Sequence, residues 1–274
     1  MPSEFVFDQP HARAFERARV NFLRQILPHC KKELELSSAL DVGCGVGYFA
    51  ALLRELDFEV TGIEGRPENA EEARSRLPGL NVHIGDVEEM PALGVGSFDL
   101  VLALGLLYHL ENPFRVIRQL RAATRKLLII ESMCVNDAEP VLRLRDEERG
   151  EDQGLRYIAF YPSEACLAKM LFRAGFPFVY RFVKLPDHAD FSARWAKRRV
   201  RTMMAAANQP LSTPYLAPMQ EPVSASDPWG STLGRAWHNV SRLGGFAAKP
   251  WPEKIAALRR RFGSVNIRES KRQA

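Results

Sequence analysis

The sequence predicts an α/β fold, a doubly wound and mostly parallel sheet with helices on both faces. Three observations carry that expectation. From residue 38 onward, short apolar runs alternate with helical stretches, the pattern of strands joined by crossover helices. The runs FDLVLAL (98–104) and KLLIIE (126–131) are apolar almost throughout, as suits strands covered on both faces. Between the first strand and its helix stands DVGCGVG (41–47), a glycine loop at the strand end where open parallel sheets bind their ligands.

In chain order, SSALDV (37–42) reads as the first strand and YFAALLREL (48–56) as its helix. FEVTGI (58–63) follows as a strand, RPENAEEARSRL (66–77) as a helix with Pro67 in its first turn, and NVHI (81–84) as a short strand. After FDLVLAL come the helix PFRVIRQLRAA (113–123) and the strand KLLIIE. SEACLAKMLFRAGF (163–176) is a helix with Pro162-Ser163 as its start and Gly175 as its stop. FVYRFVKL (178–185) and VRTMMAA (200–206) read as two late strands forming an antiparallel hairpin.

Three regions are expected. Residues 1–36 form an N-terminal helical cap, with Phe15, Ala18, Phe22 and Ile26 at helical spacing. Residues 37–207 form the α/β domain, and residues 208–274 a Pro- and Trp-rich extension. Pro210, Pro214, Pro218, Pro222 and Pro228 make the start of that extension a linker or a strap. WPEKIAALRRRFG (251–263) offers a short basic amphipathic helix beyond it.

The chain has 274 residues and a net charge of +5, and 46% hydrophobic content excludes disordered and fibrous classes. That charge is unevenly placed. Residues 1–180 hold 21 basic and 27 acidic side chains, a net of −6, whereas residues 181–274 hold 17 and 6, a net of +11. All four tryptophans (Trp195, Trp229, Trp237, Trp251) lie in the basic third, which suits either a solvated face or an arm for a polyanion. Cys30, Cys44, Cys134 and Cys166 show no metal-ligand or disulfide spacing, so no metal site is expected and reduced thiols are. The charged N-terminus is unlike a signal peptide and no apolar run could span a bilayer. A cytoplasmic protein with no membrane partner is therefore expected, its oligomeric state open with a homodimer among the choices.

The glycine loop is the sharpest motif. Gly43, Gly45 and Gly47 allow a tight turn and close backbone approach to a ligand. A dinucleotide fingerprint counted from Gly43 needs glycine at 48, where Tyr48 stands; counted from Gly45 it meets Ala50. The spacing is instead acid-x-G-x-G-x-G, led by Asp41.

This loop, with Glu64 ending FEVTGIE, Asp86 in IGDVEEM and the segment FDLVLALGLLYHL (98–110), resembles the signatures of class I S-adenosylmethionine-dependent methyltransferases over roughly residues 38–184. The resemblance implies a Rossmann-like, seven-stranded sheet whose last strand is antiparallel. It implies S-adenosylmethionine as cofactor, bound by Asp41, Gly43, Cys44, Gly45, Gly47, Gly65, Leu104 and Gly105, with Tyr48 over the methionine portion. Glu64 would serve the ribose, and Asp86 and Val87 the adenine. A carboxylate suits the ribose because it accepts from both hydroxyls of a diol.

Methyl transfer from a sulfonium chiefly requires alignment, with a base only where the acceptor must lose a proton. His109, just past the fourth strand, is the candidate proton acceptor, with Tyr108 lining the pocket and Glu131 on the same rim. His11 and Arg13 are candidates to close over the cofactor, and Arg156, Tyr157 and Tyr161 to contact the acceptor. Each has a plainer reading as a packing or surface residue.

The main expectation is methyl transfer to an oxygen or nitrogen of a small-molecule or sugar acceptor. RNA methyl transfer, using the basic extension, is the alternative, and a non-catalytic binding module is a third reading. GLLYHLENP with the later YPS-helix-AGF run is also similar to the tRNA wobble-uridine carboxymethyltransferase group, which uses a carboxylated form of the cofactor. That cofactor calls for an extra basic residue in the pocket, which the sequence does not single out, so ordinary S-adenosylmethionine is expected.

Overall fold

The computed structural model describes residues 5–147, 154–192 and 200–222. Helix α1 (Pro10–Leu34) leads into β1 (Ser38–Val42), α2 (Tyr48–Glu55), β2 (Glu59–Glu64), α3 (Pro67–Arg76) and β3 (Asn81–Ile84). β4 (Phe98–Leu104), α4 (Pro113–Ala123) and β5 (Thr124–Cys134) follow. The chain continues with β6 (Leu142–Asp146), β7 (Ile158–Pro162), α5 (Glu164–Arg173), β8 (Phe178–Phe182), β9 (Val200–Ala207) and β10 (Leu216–Pro218).

The main sheet has eight strands in the order β10-β8-β9-β5-β4-β1-β2-β3. β3, β2, β1, β4 and β5 run parallel, β9 is antiparallel to both β5 and β8, and β10 is antiparallel to β8. The seven anticipated strands are all present. The eighth, β10, comes from the Pro-rich stretch and ends at Pro218, on the sheet edge where a missing N–H does least harm. β6 and β7 pair as a separate two-stranded ribbon inserted between β5 and α5.

The sheet is covered on both faces because its strands are apolar in both directions. Leu100, Leu102, Leu127 and Ile129 join the core under α1, α2 and α3, whereas Val101, Ala103, Leu128 and Ile130 join the core under α4 and α5. Helix starts are set locally: Pro10, Pro67 and Pro113 occupy first turns, and the Ser163 hydroxyl accepts from Cys166 N–H to cap α5.

Two features position the site. The chain winds outward from β1 to β3 in one direction and from β4 to β5 in the other, so a crevice opens between the C-terminal ends of β1 and β4. α1 lies on the same core as the sheet, burying Leu23, Ile26, Leu27, Cys30 and Leu34 at helical spacing. The start of the Pro-rich stretch runs back along α1. Leu211 N–H donates to the Tyr180 hydroxyl, Ser212 N–H to Glu33, and the Tyr215 ring meets His29 at 5.1 Å.

The residues from Val223 onward, with Trp229, Trp237, Trp251 and the anticipated basic helix, lie outside the described residues, as does Trp195. Among the described residues, no helix is long and apolar enough to cross a membrane.

Leu23 is fully buried between α1 and the sheet. Leu23→Ala is expected to cost about 2–5 kcal/mol, read as a lowered midpoint in chemical denaturation. A change near zero would mean that α1 is dispensable to the core.

Candidate active site

The glycine loop turns by placing all three of its glycines at positive φ: 72° at Gly43, 52° at Gly45 and 93° at Gly47. Gly43 N–H and Cys44 N–H both donate to the Ile63 carbonyl, which pins the loop to the end of β2. Gly45 N–H donates to Glu64 Oε2 at 2.8 Å. A side chain at Gly45 would meet the Phe7 ring, which closes over the loop from the N-terminal segment.

Glu64 ends β2 with both carboxylate oxygens engaged. Oε1 accepts from Arg66 N–H at 2.9 Å and, more weakly, from Asn69 Nδ2 at 3.4 Å. A carboxylate offers about four acceptor sites, so three present donors leave capacity for a further hydroxyl. Asp86, after β3, caps a 3-10 turn through Glu88 N–H and accepts from Arg156 at 3.0 Å on its other oxygen.

At the end of β4 a 3-10 turn, Leu107–His109, presents Tyr108 and His109. The Tyr108 hydroxyl accepts from Arg201 Nη2 at 3.1 Å, and Arg201 Nη1 donates to Glu131 Oε1 at 2.9 Å. The other Glu131 oxygen accepts from Arg19 Nη1 of α1 at 2.8 Å, and Arg19 Nη2 is paired with Glu16. Glu131 is fully buried, so two guanidiniums, from α1 and β9, converge on one carboxylate ending the parallel part of β5. Gly105 lies against this cluster, its missing Cβ facing Arg19, Glu131 and the Tyr108 hydroxyl.

The electrostatics follow from burial. Desolvation works against the Arg201 charge, but Tyr108 and Glu131 outweigh it and hold the guanidinium more firmly protonated than usual. Burial pushes the Glu16 carboxyl up, with Arg19 opposing, and pushes the Tyr108 phenol up against Arg201. Asp41, wholly buried beneath the loop, is pushed up to about 7 by desolvation and then by Glu16. Five of the seven described buried side-chain atoms that lack a hydrogen-bond partner gather here: Glu16 Oε2, Arg19 Nε, Asp41 Oδ2, Glu147 Oε2 and Arg201 Nε. Such a concentration is characteristic of a site built for a ligand.

Glu16, Arg19, Glu64, Asp86, Tyr108, His109 and Arg201 line a cavity of about 280 Å³. Of the residues expected from sequence, Gly43, Cys44, Gly45, Tyr48, Glu64, Gly65, Asp86, Val87, Leu104, Gly105, Tyr108 and His109 all line it. Gly47 does not; it caps α2 and packs against Leu77 and Ala73. Asp41 supports the loop from below. Glu131 is not a partner of His109 or an open rim carboxylate, because both its oxygens are committed to Arg19 and Arg201. His109 Nδ1 meets Glu147 instead. Arg13 pairs with Asp8, which also accepts from the Tyr48 hydroxyl.

Sequence reasoning missed Arg19, Arg201, Glu16 and Glu147. Arg19 carried a usable signal: a cation four residues after Phe15 on the buried stripe of α1 requires a buried partner. Glu147 had none, standing in a segment of mixed charge.

The residues present fit S-adenosylmethionine. Glu64 keeps acceptor capacity for a ribose hydroxyl, and Gly43 and Gly45 bring backbone rather than side chain to the cavity wall. Among the described residues, no group of acidic, His or Cys side chains could hold a metal ion.

Residues 40–127 match the family model of the methyltransferase domain. The chain is similar to proteins named tRNA U34 carboxymethyltransferase. It is 30% identical over 162 residues to the one from Actinobacillus succinogenes, covering 56% of this chain and 49% of that protein. The one from Shewanella woodyi is 33% identical over 163 residues, covering 56% and 47%. The match thus spans about half the length of these curated relatives. In fold, the chain resembles the N-terminal domain of EvdMO1 with SAH bound (TM-score 0.55, 21% identity, 76% of this chain and 82% of that one). It also resembles magnesium protoporphyrin IX methyltransferase from Synechocystis with bound SAM (TM-score 0.51, 17% identity, 76% and 85%).

Two outcomes test this site. Glu64→Ala is expected to weaken S-adenosylmethionine binding roughly ten- to hundredfold by calorimetry, with the circular dichroism unchanged. The raised Asp41 pKa means that the folded state holds a proton the unfolded state has lost, so stability falls as pH rises from about 4 to about 7. Asp41→Asn removes that slope. In melts without cofactor, the variant gains on the wild type across this window, by at most about 4 kcal/mol, and the difference levels off above it.

Proposed function

We propose that this chain, which carries a class I S-adenosylmethionine-dependent methyltransferase domain, transfers an alkyl group from the sulfonium of its cofactor to a uridine of tRNA. When bound, the cofactor supplies an activated carbon and a good leaving group. The chain's own residues do the rest. Glu64, Asp86 and the glycine loop bind and orient the adenosyl part, while Phe7 and Phe15 line the cavity and limit the access of water. His109 is the cavity residue suited to take a proton from the acceptor.

The RNA acceptor has more behind it than the small-molecule or sugar acceptor expected from sequence. Relatives 30–33% identical across the catalytic half of the chain are named for tRNA U34. The +11 balance of residues 181–274 suits a polyanionic substrate.

The observation that carries the proposal furthest is Arg201, which lines the cavity beside Tyr108, its Nε making no hydrogen bond and lying 3.8 Å from Asp190 Oδ2. It supplies the basic residue that a carboxylated cofactor demands. Its Nη atoms reach Glu131 and the Tyr108 hydroxyl, and among the described residues the half-exposed Asp190 is the only acid near its Nε. A carboxylate on the transferred group would find a guanidinium at the cavity wall, which favours carboxymethyl over methyl transfer.

The test is incubation with tRNA lacking wobble-uridine modification, using S-adenosylmethionine or its carboxylated form, followed by nucleoside mass spectrometry. A carboxymethylated uridine derivative from the carboxylated donor is expected, with RNA affinity falling steeply with salt. Product from neither donor would contradict the proposal.

A further inference from the structure

Glu147 stands at the end of the β6–β7 ribbon, far in sequence from the glycine loop and the strand ends that build the cavity. Its side chain is buried, one oxygen is paired with His109 Nδ1, and the other has no hydrogen-bond partner. Its backbone N–H donates to the Tyr157 carbonyl at 3.1 Å, and a side chain at Gly154 would overlap its carboxylate. The ribbon is itself anchored to the Leu107–His109 turn through Tyr161 and Ala159, which pack with Tyr108. A buried carboxylate held in this way, paired among the described residues with His109 alone, calls for a reason.

We infer that Glu147 is a positioning residue that holds His109 as the proton acceptor of the transfer reaction. The inference rests on the alkyl-transfer reading above and assigns that site a part which the site did not have. A carboxylate can only accept, so Nδ1 of His109 must carry the shared hydrogen. That fixes the tautomer: Nε2 becomes the nitrogen with the free lone pair, on a ring that lines the cavity. It also fixes the ring plane, which lies 4.1 Å, centroid to centroid, from Tyr108.

The acceptor chemistry supplies the need. A uridine nitrogen or hydroxyl oxygen that attacks carbon as a nucleophile has a proton to lose. His109 Nε2 takes that proton while the acceptor's electron pair forms the new bond to carbon. The carbon–sulfur pair returns to sulfur, leaving a neutral thioether, and the proton passes from His109 to solvent. Glu147 stabilises the imidazolium during that interval and undergoes no change of its own.

The experiment compares wild type, Glu147→Ala and Glu147→Gln in three readouts: steady-state kinetics on tRNA, cofactor affinity by calorimetry, and nitrogen NMR of the His109 ring without substrate. Gln keeps an acceptor for Nδ1–H but no charge. The expected result is a kcat reduced at least tenfold in Glu147→Ala and partly restored in Glu147→Gln, with cofactor affinity within twofold of wild type. The NMR should show the Nδ1–H tautomer in wild type and Glu147→Gln and lose it in Glu147→Ala.

An unchanged kcat in Glu147→Ala, or a loss confined to KM for the cofactor, would overturn the inference. So would a wild-type ring protonated on Nε2 alone. A wild type that carries the Nδ1–H tautomer yet alkylates no tRNA would overturn the acceptor reading while supporting the dyad.

Discussion

The ion pair shared by Arg19, Glu131 and Arg201 is the constraint on which the site depends. It joins the first helix, the end of the parallel sheet and the antiparallel strand β9, three elements brought together only by the finished fold. Burying these charges is costly, and the cost is offset only while the hydrogen bonds are complete. Cation–π contacts add to the closure: the Phe15 ring lies 4.1 Å from the Arg19 guanidinium carbon and 4.6 Å from that of Arg201. A clamp of this kind tolerates little movement, so Gly105, Tyr108 and the end of β4 are held in one arrangement.

The rest of the cavity is ordered from that floor outward. Gly105 must be glycine because it lies against the clamp at a φ of 77°. The buried Tyr108 hydroxyl accepts from Arg201 Nη2, and His109 follows in the same turn. On the opposite wall, Glu64 gathers the Gly45 and Arg66 amides and thereby couples the glycine loop to the end of β2. Phe7 and Leu155 then close over Gly45 and Gly65, bringing residues from the N-terminal segment and from the insertion after β5 against the same crevice.

The legible parts were those whose physics is local. Two-sided apolar strands, proline and serine helix starts, and glycines at a strand-to-helix turn each declare themselves within a few residues. They marked the sheet, the crevice and the part of the cavity lining that comes from the glycine loop and the strand ends. The ion clamp was not legible, because Arg19 and Glu131 are separated by 112 residues and meet only through the winding of the sheet. Glu131 was recognised as a site residue, but its two arginine partners were not, for the same reason. Glu147 sits in a charge-mixed segment where nothing distinguishes a buried carboxylate from a solvated one. β10 was hidden by Pro218, which a strand tolerates only at an edge, and edge position is a property of topology. The uneven charge of the chain separates acidic residues 1–180 from basic residues 181–274, most of which lie beyond the described residues.

The most direct test is a crystal structure with S-adenosylhomocysteine bound. The ribose is expected on Glu64, the adenine beside Asp86 and Val87, and the sulfur near Gly105 on the side facing His109 and Arg201. A ligand bound elsewhere, or one that leaves Glu64 without a ribose contact, would contradict this placement.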